Sequence, residues 1–137
     1  MSLFNYRDDL TTPASVSNGT ASNSTGSHYL NIVKSLSNVT RNAGETIRLK
    51  CEFAGSPQPK VTWYKHEAPI EPEKGKTQIK FRRTGGANSD RVLARLIINK
   101  LDTHDIGFYK CEASNGYKTV ESIGVLMVKA GMFIHKT

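Results

Sequence analysis

Cys51 and Cys111 are the only cysteines in the chain, sixty positions apart, and the single tryptophan, Trp63, follows the first of them by twelve. All three sit in segments of two-residue alternation. Residues 46–53 place Ile47, Leu49, Cys51 and Phe53 on one side and Arg48, Lys50 and Glu52 on the other. Residues 60–65 give Val61 and Trp63 a shared face, and Tyr109 stands two positions before the second cysteine. A period of two is that of a β-strand with one face in a core and the other in water. A chain folded around this pattern is a β protein with both cysteines and the tryptophan on apolar faces.

The rest of the chain has the same texture. Residues 55–59, GSPQP, break the first two segments apart. Residues 78–83 turn Ile79 and Phe81 inward, and residues 91–98 turn Val92, Ala94, Leu96 and Ile98 inward, on either side of a loop built on Gly85, Gly86, Asn88 and Asp90. Asn115-Gly116 separates two further runs and signals a hairpin, because both residues tolerate positive φ. No segment carries a helical period, and there is no internal repeat. Seven or so short strands with this Cys, Trp, Cys spacing specify an all-β, immunoglobulin-like β-sandwich. In such a fold Cys51 on strand B and Cys111 on strand F bridge the two sheets, Trp63 on strand C packs on the sulfurs, and Tyr109 forms the tyrosine corner. Asp105 and Gly107 then shape the turn between strands E and F. Asp105 is expected to meet Arg82 or Arg83 on strand D, and His104 to stand exposed at the tip of the turn.

A chain of 137 residues with 37% hydrophobic content holds one domain and some slack. Residues 8–27 are dominated by Ser, Thr, Asn and Gly, without apolar periodicity. We read residues 1–29 as a flexible, disordered lead-in, residues 30–131 as the domain and residues 132–137 as a tail. The start lacks a basic segment followed by an apolar run, and no 18-residue apolar stretch occurs, so neither a secretory signal nor a membrane span is expected in this chain. Three acceptor sequons, at Asn18, Asn23 and Asn38, and the cysteine pair point instead to an extracellular or cell-surface setting. These two readings agree if the chain is a piece cut from something larger.

One stretch, residues 102–118 (DTHDIGFYKCEASNGYK), crowds acids, a histidine, a tyrosine and a cysteine together. A catalytic Cys–His–Asp set would need those side chains to converge. Here each has a separate scaffolding role, and adjacent residues of a turn diverge, so no catalysis is expected. His28, His66, His104 and His135 show no ligand spacing, and no metal or cofactor is expected. The net charge of +7 raises nucleic acid as a partner, but no recognition module accompanies it.

That charge is unevenly placed. Between Lys74 and Arg95 stand seven basic residues, Lys74, Lys76, Lys80, Arg82, Arg83, Arg91 and Arg95, against the single acid Asp90. Strands B, E and D neighbour one another in this fold, so Arg48, Lys50, Lys80, Arg82, Arg91 and Arg95 are expected on one outward face, relieved mainly by Glu52. Such a face either serves solubility or docks an extracellular polyanion such as heparan sulfate. On the other sheet, if Leu126 and Val128 face the core, Ile123, Val125 and Met127 point outward beside Phe108 and Tyr64. Five such side chains mark a protein contact, unless the strand register is shifted by one residue.

More particular features are Asn-Val-Thr at 38–40, Gly-x-Pro-x-Pro at 55–59, Trp63-Tyr-Lys with Ala68-Pro69, Leu-Asp-Thr at 101–103, Cys-x-Ala-x-Asn-Gly at 111–116 and Gly-Val-Leu-Met-Val-Lys at 124–129. Over residues 38–131 the chain resembles the I-set immunoglobulin domain of Ror-family receptor tyrosine kinases. The resemblance implies a non-enzymatic module followed, in the whole receptor, by a frizzled-type domain, a kringle, a membrane span and a kinase, in Wnt-linked signalling. Residues 74–90 are longer than the corresponding family segment. Ligand binding in that family is ascribed to the frizzled-type domain, so no ligand-contacting residue carries over. The alternative is a cell-adhesion or secreted immunoglobulin protein that binds cell-surface partners itself.

Overall fold

The computed structural model describes residues 28–86 and 88–130. Among these the chain forms nine strands: β1 (Tyr29–Lys34), β2 (Val39–Asn42), β3 (Ile47–Ser56), β4 (Lys60–Lys65), β5 (Ala68–Pro69), β6 (Thr77–Thr84), β7 (Arg91–Ile98), β8 (Gly107–Ser114) and β9 (Thr119–Lys129). Alternation decides which face each strand buries. Ile47, Leu49, Cys51 and Phe53 of β3 and Val92, Ala94, Leu96 and Ile98 of β7 are buried, as are Tyr109, Cys111 and Ala113 of β8 and Leu126 and Val128 of β9. A four-stranded sheet ordered β1-β3-β7-β6 thus packs on a five-stranded sheet ordered β2-β9-β8-β4-β5. Cys51 and Cys111 are bonded between the sheets. Trp63 lies directly opposite Cys111 in the β4–β8 ladder and is buried in the same core cluster. Full burial of side chains of this size stabilises by roughly 1.5–3 kcal/mol each.

The first strand changes sheets. β1 pairs with β3, whereas β2 runs parallel to β9 in the opposite sheet. Residues 35–38 make the crossing, held by the Leu36 N–H, which donates to Ser122 Oγ at 2.8 Å. They pass so close to β9 that a Cβ on Gly124 would stand 2.7 Å from the Ser37 carbonyl oxygen. A glycine is needed there for space.

The turn between β7 and β8 is a single 3-10 turn, Thr103–Asp105, closed at its start by Asp102. The Asp102 carboxylate accepts from the His104 N–H at 2.7 Å, and that bond holds its pKa below the usual carboxylate range. Asp105 Oδ2 accepts from the Asp102 N–H, and the Tyr109 hydroxyl donates to the Asp105 carbonyl at 2.7 Å. Burial, with Asp105 nearby, pushes the Tyr109 phenol well above its ordinary pKa. The cation that Asp105 meets is Lys76, at 2.7 Å, and not Arg82 or Arg83. The reason is strand direction: β6 runs antiparallel to β7, with Thr77 opposite Ile98 and Thr84 opposite Arg91. The start of β6 therefore reaches the turn, while Arg82 and Arg83 lie at the far end.

Other expectations shift in detail. Tyr29 belongs to β1, inside the segment read as lead-in, and its hydroxyl donates to Asp90. Phe81 was expected inward but is 52% exposed, because β6 is an edge strand and the opposite sheet ends in the two-residue β5. Gly107 lies under the His66 ring, so a Cβ there would meet Nε2 at 2.3 Å and the exposed imidazole would have to swing aside. In the β8–β9 hairpin only Gly116 has positive φ. Asn115 instead accepts from the Tyr117 and Lys118 N–H groups through its Oδ1, and donates through Nδ2 to the carbonyls of Tyr29 and Ser56. It ties the hairpin to the ends of β1 and β3. Asn18, Asn23, most of the lead-in and the tail lie outside the described residues.

Candidate interaction surfaces

The crowded stretch at 102–118 does not assemble a reactive site. The Cys111 sulfur is bonded to Cys51, Asp105 turns to Lys76, and the His104 side chain is 95% exposed with Nδ1 3.3 Å from Asp102. What remains for function are the two outer sheet faces.

On the five-stranded sheet, alternation and register place the outward residues in rows. Val125 lies opposite Phe108, and Ile123 opposite Lys110, which in turn lies opposite Tyr64. Phe108, Ile123 and Met127 are 58%, 51% and 46% exposed. Val125 and Tyr64 are half-buried. The His66 ring meets the Phe108 ring edge-on, 5.9 Å between centroids, and a groove of about 340 Å³ opens among His66, Glu67, Phe108, Lys110 and Ile123. Adjoining this apolar half is a charged strip. Lys110 Nζ stands 2.7 Å from Glu67 and 3.7 Å from Glu121, over the Tyr64 ring at 4.7 Å. The hydrogen bond to Glu67 holds the Lys110 ammonium above the ordinary lysine range. The Tyr64 hydroxyl donates to Glu112, and Glu112 lies directly opposite Glu121. Tyr64 is thus occupied within the face rather than offered as a free anchor. Lys110 and His66 were the members that sequence reasoning missed, although Lys110 shares the parity of Phe108.

On the four-stranded sheet the register puts Lys50, Arg95 and Lys80 in one cross-strand row. Arg48 lies opposite Ile97, Arg82 opposite Leu93 and Arg91 opposite both Ala54 and Thr84, all on the same face. Arg95 is half-buried and the other five are exposed. β1 adds Lys34, opposite Glu52. Glu52 forms no ion pair within 4.0 Å of these cations: it is only 7% exposed, and its carboxylate accepts from the Thr84 hydroxyl at 2.7 Å. Among the described residues no carboxylate stands within 4.0 Å of the charged nitrogens of the six expected cations.

A two-sheet sandwich with a disulfide between the sheets, a tryptophan beside it and a tyrosine tied back to its own turn defines an immunoglobulin-type domain. The family model described as "Immunoglobulin I-set domain" matches residues 30–128, and the chain belongs to that family. It is 37% identical over 87 residues to the cell adhesion molecule DSCAM of Gallus gallus, covering 64% of this chain and 4% of that protein. It is 31% identical over 96 residues to myopalladin of Mus musculus, covering 70% of this chain and 7% of that one. The chain therefore spans under a tenth of these relatives. Among solved structures, a chimeric titin Z1Z2 superimposes with a TM-score of 0.64 at 27% identity, over 77% of this chain and 99% of the other.

Proposed function

We propose that the chain is a non-enzymatic recognition module of a cell-surface or secreted adhesion protein, acting outside the cell by docking a protein through the outer face of its five-stranded sheet. The observation that carries this is the cluster of Phe108, Ile123 and Met127, three large apolar side chains about half exposed on one sheet face. Such a cluster is more than solubility tolerates without cost and is the composition of a contact core. The adhesion reading has support from the likeness to DSCAM, and the inter-sheet disulfide favours an oxidising compartment. The Ror-type setting rests on the sequence resemblance alone.

The occupant is a second copy of the domain, related by a twofold axis that stacks apolar half on apolar half. Truncating a buried anchor typically costs about 2 kcal/mol or more. Phe108→Asp with Ile123→Asp should therefore weaken self-association by about a thousandfold while leaving the melting temperature within a few degrees, since neither side chain is in the core. Analytical ultracentrifugation of wild type and double variant checks this. A wild type that stays monomeric at about 1 mM would remove the self-docking reading.

The same setting makes Asn38 a glycan acceptor. Asn38 is exposed just before β2, and it is the side-chain oxygen that accepts from the Val125 N–H at 2.9 Å, leaving the amide nitrogen for the sugar. Peptide mapping of protein secreted from eukaryotic cells should find it modified. Full secretion with Asn38 bare would contradict the placement.

A further inference from the structure

We infer that the outer face of the β1-β3-β7-β6 sheet is a binding site for a linear sulfated polysaccharide. The inference rests on the extracellular reading above.

Three features of this face carry it. The row Lys50, Arg95, Lys80 sets like charges directly opposite one another on neighbouring strands. Strand spacing puts their backbones about 4.8 Å apart across the sheet, with Arg48 on β3 and Arg82 on β6 about 6.8 Å further along their strands and Arg91 on β7 about twice that distance from Arg95. Like charges in that register destabilise a sheet, and none of these three has a carboxylate among the described residues within 4.0 Å to offset it. Second, the one acid expected to relieve them, Glu52, is sunk in the face and bonded to Thr84. Third, at Arg82 the face borders a groove of about 450 Å³ that opens between the two sheets along the β6 edge, where Phe81, on the inner side of β6, lies open beside Pro59 and Lys60. An exposed aromatic ring flanked by cations suits a sugar ring bearing sulfates: the apolar C–H face of the sugar covers the ring while the sulfates meet the cations.

The face does not read as a protein contact. Its aliphatic members, Ile97 and Leu93, are buried and half-buried, and Tyr29 at its margin is tied through its hydroxyl to Asp90, so it presents no cluster of the kind seen on the opposite sheet. What it presents is a field, matched by a polymer with repeating negative charge. In the oxidising compartment of the extracellular reading, the repeating polyanions are sulfated glycans rather than nucleic acid or the anionic cytoplasmic leaflet.

The test uses the full oxidised chain and heparin oligosaccharides, by affinity chromatography and calorimetry. Wild type should be retained at about 0.15 M salt, with affinity falling steeply as salt rises, on the order of a thousandfold between about 50 and 200 mM if six cations engage as they do on DNA phosphates. Lys50→Glu/Lys80→Glu/Arg95→Glu should lose retention. Lys100→Glu/Lys118→Glu/Lys129→Glu, an equal change of charge at exposed positions that border neither this face nor its grooves, should shift binding by less than about threefold. Arg95→Glu alone sets a carboxylate between two lysines, so it should raise the melting temperature by about 2–5 °C while weakening binding about tenfold. No retention of folded, oxidised wild type at about 0.15 M salt overturns the inference. So does equal loss in the control triple variant, a fall in melting temperature for Arg95→Glu, or equally tight binding to phosphatidylserine vesicles or RNA. Each of these leaves the extracellular reading standing, which is decided separately by the redox state of the cysteines in the cell.

Discussion

Replacing Cys51 and Cys111 together by alanine should lower the stability of the domain by about 4 kcal/mol. The bridge closes a loop with a sequence separation of 60. A cross-link of that span restricts the unfolded chain enough to contribute roughly 4 kcal/mol at 25 °C in the chain-entropy treatment, and losses of about 2–5 kcal/mol are usual for small bridged domains. Both sulfurs are fully buried beside Trp63, so the double replacement also thins the packing between the sheets. A domain of about a hundred residues has roughly 5–15 kcal/mol in all, and the melting temperature should fall by about 20 °C. Urea unfolding of the variant against wild type, the wild type oxidised before the scan, reads the difference. A loss under about 1 kcal/mol would mean that the bridge is incidental to this core.

Gly124→Val is expected to be nearly as damaging, for a different reason. The added Cβ would lie 2.7 Å from the Ser37 carbonyl oxygen and 3.0 Å from Leu36 Cβ. The nearer of these is backbone and cannot swing aside. The crossing strand must lift, which breaks the Leu36 N–H bond to Ser122 and strains the parallel pairing of Val39–Asn42 with β9. Overpacking at such a place costs about 3 kcal/mol. Hydrogen exchange locates the damage: amides of β2 should lose protection well before those of β3 and β8. Uniform loss across both sheets, or none, would contradict the role assigned to the crossing.

How far the sequence could be read follows from the range of each interaction. The alternation of residues 46–53 and 91–98 is local, and it identifies Ile47, Leu49, Phe53, Val92, Leu96 and Ile98 as core directly. Phe81 has the same alternation and is half exposed, because whether an inward residue is covered depends on the extent of the opposite sheet, which alternation does not encode. Asp105 needed a cation, and composition offered several. Only the antiparallel course of β6 against β7 selects Lys76 over Arg82 and Arg83. Glu52 reads as an outward acid among cations, yet the Thr84 hydroxyl reaches it across the sheet and it is buried there. The split of the first strand between two sheets, with its demand for glycine at 124, is a long-range contact with no local signature. On the candidate faces the same rule holds: parity identifies which residues share a face, but the pinning of Lys110 by Glu67 and Glu121 is set by which strands are neighbours.

The central claim is a disulfide-bridged immunoglobulin domain working in an oxidising, extracellular setting. It is tested most directly by trapping the protein from the cells that make it with a thiol-alkylating reagent, under native and then denaturing conditions, and weighing it intact. The expected mass is that of the chain with Cys51 and Cys111 joined and neither alkylated until a reductant is added. Recovery of folded protein with both cysteines alkylated after denaturation without reductant would show the thiols free in the cell, and the extracellular account would fall with them.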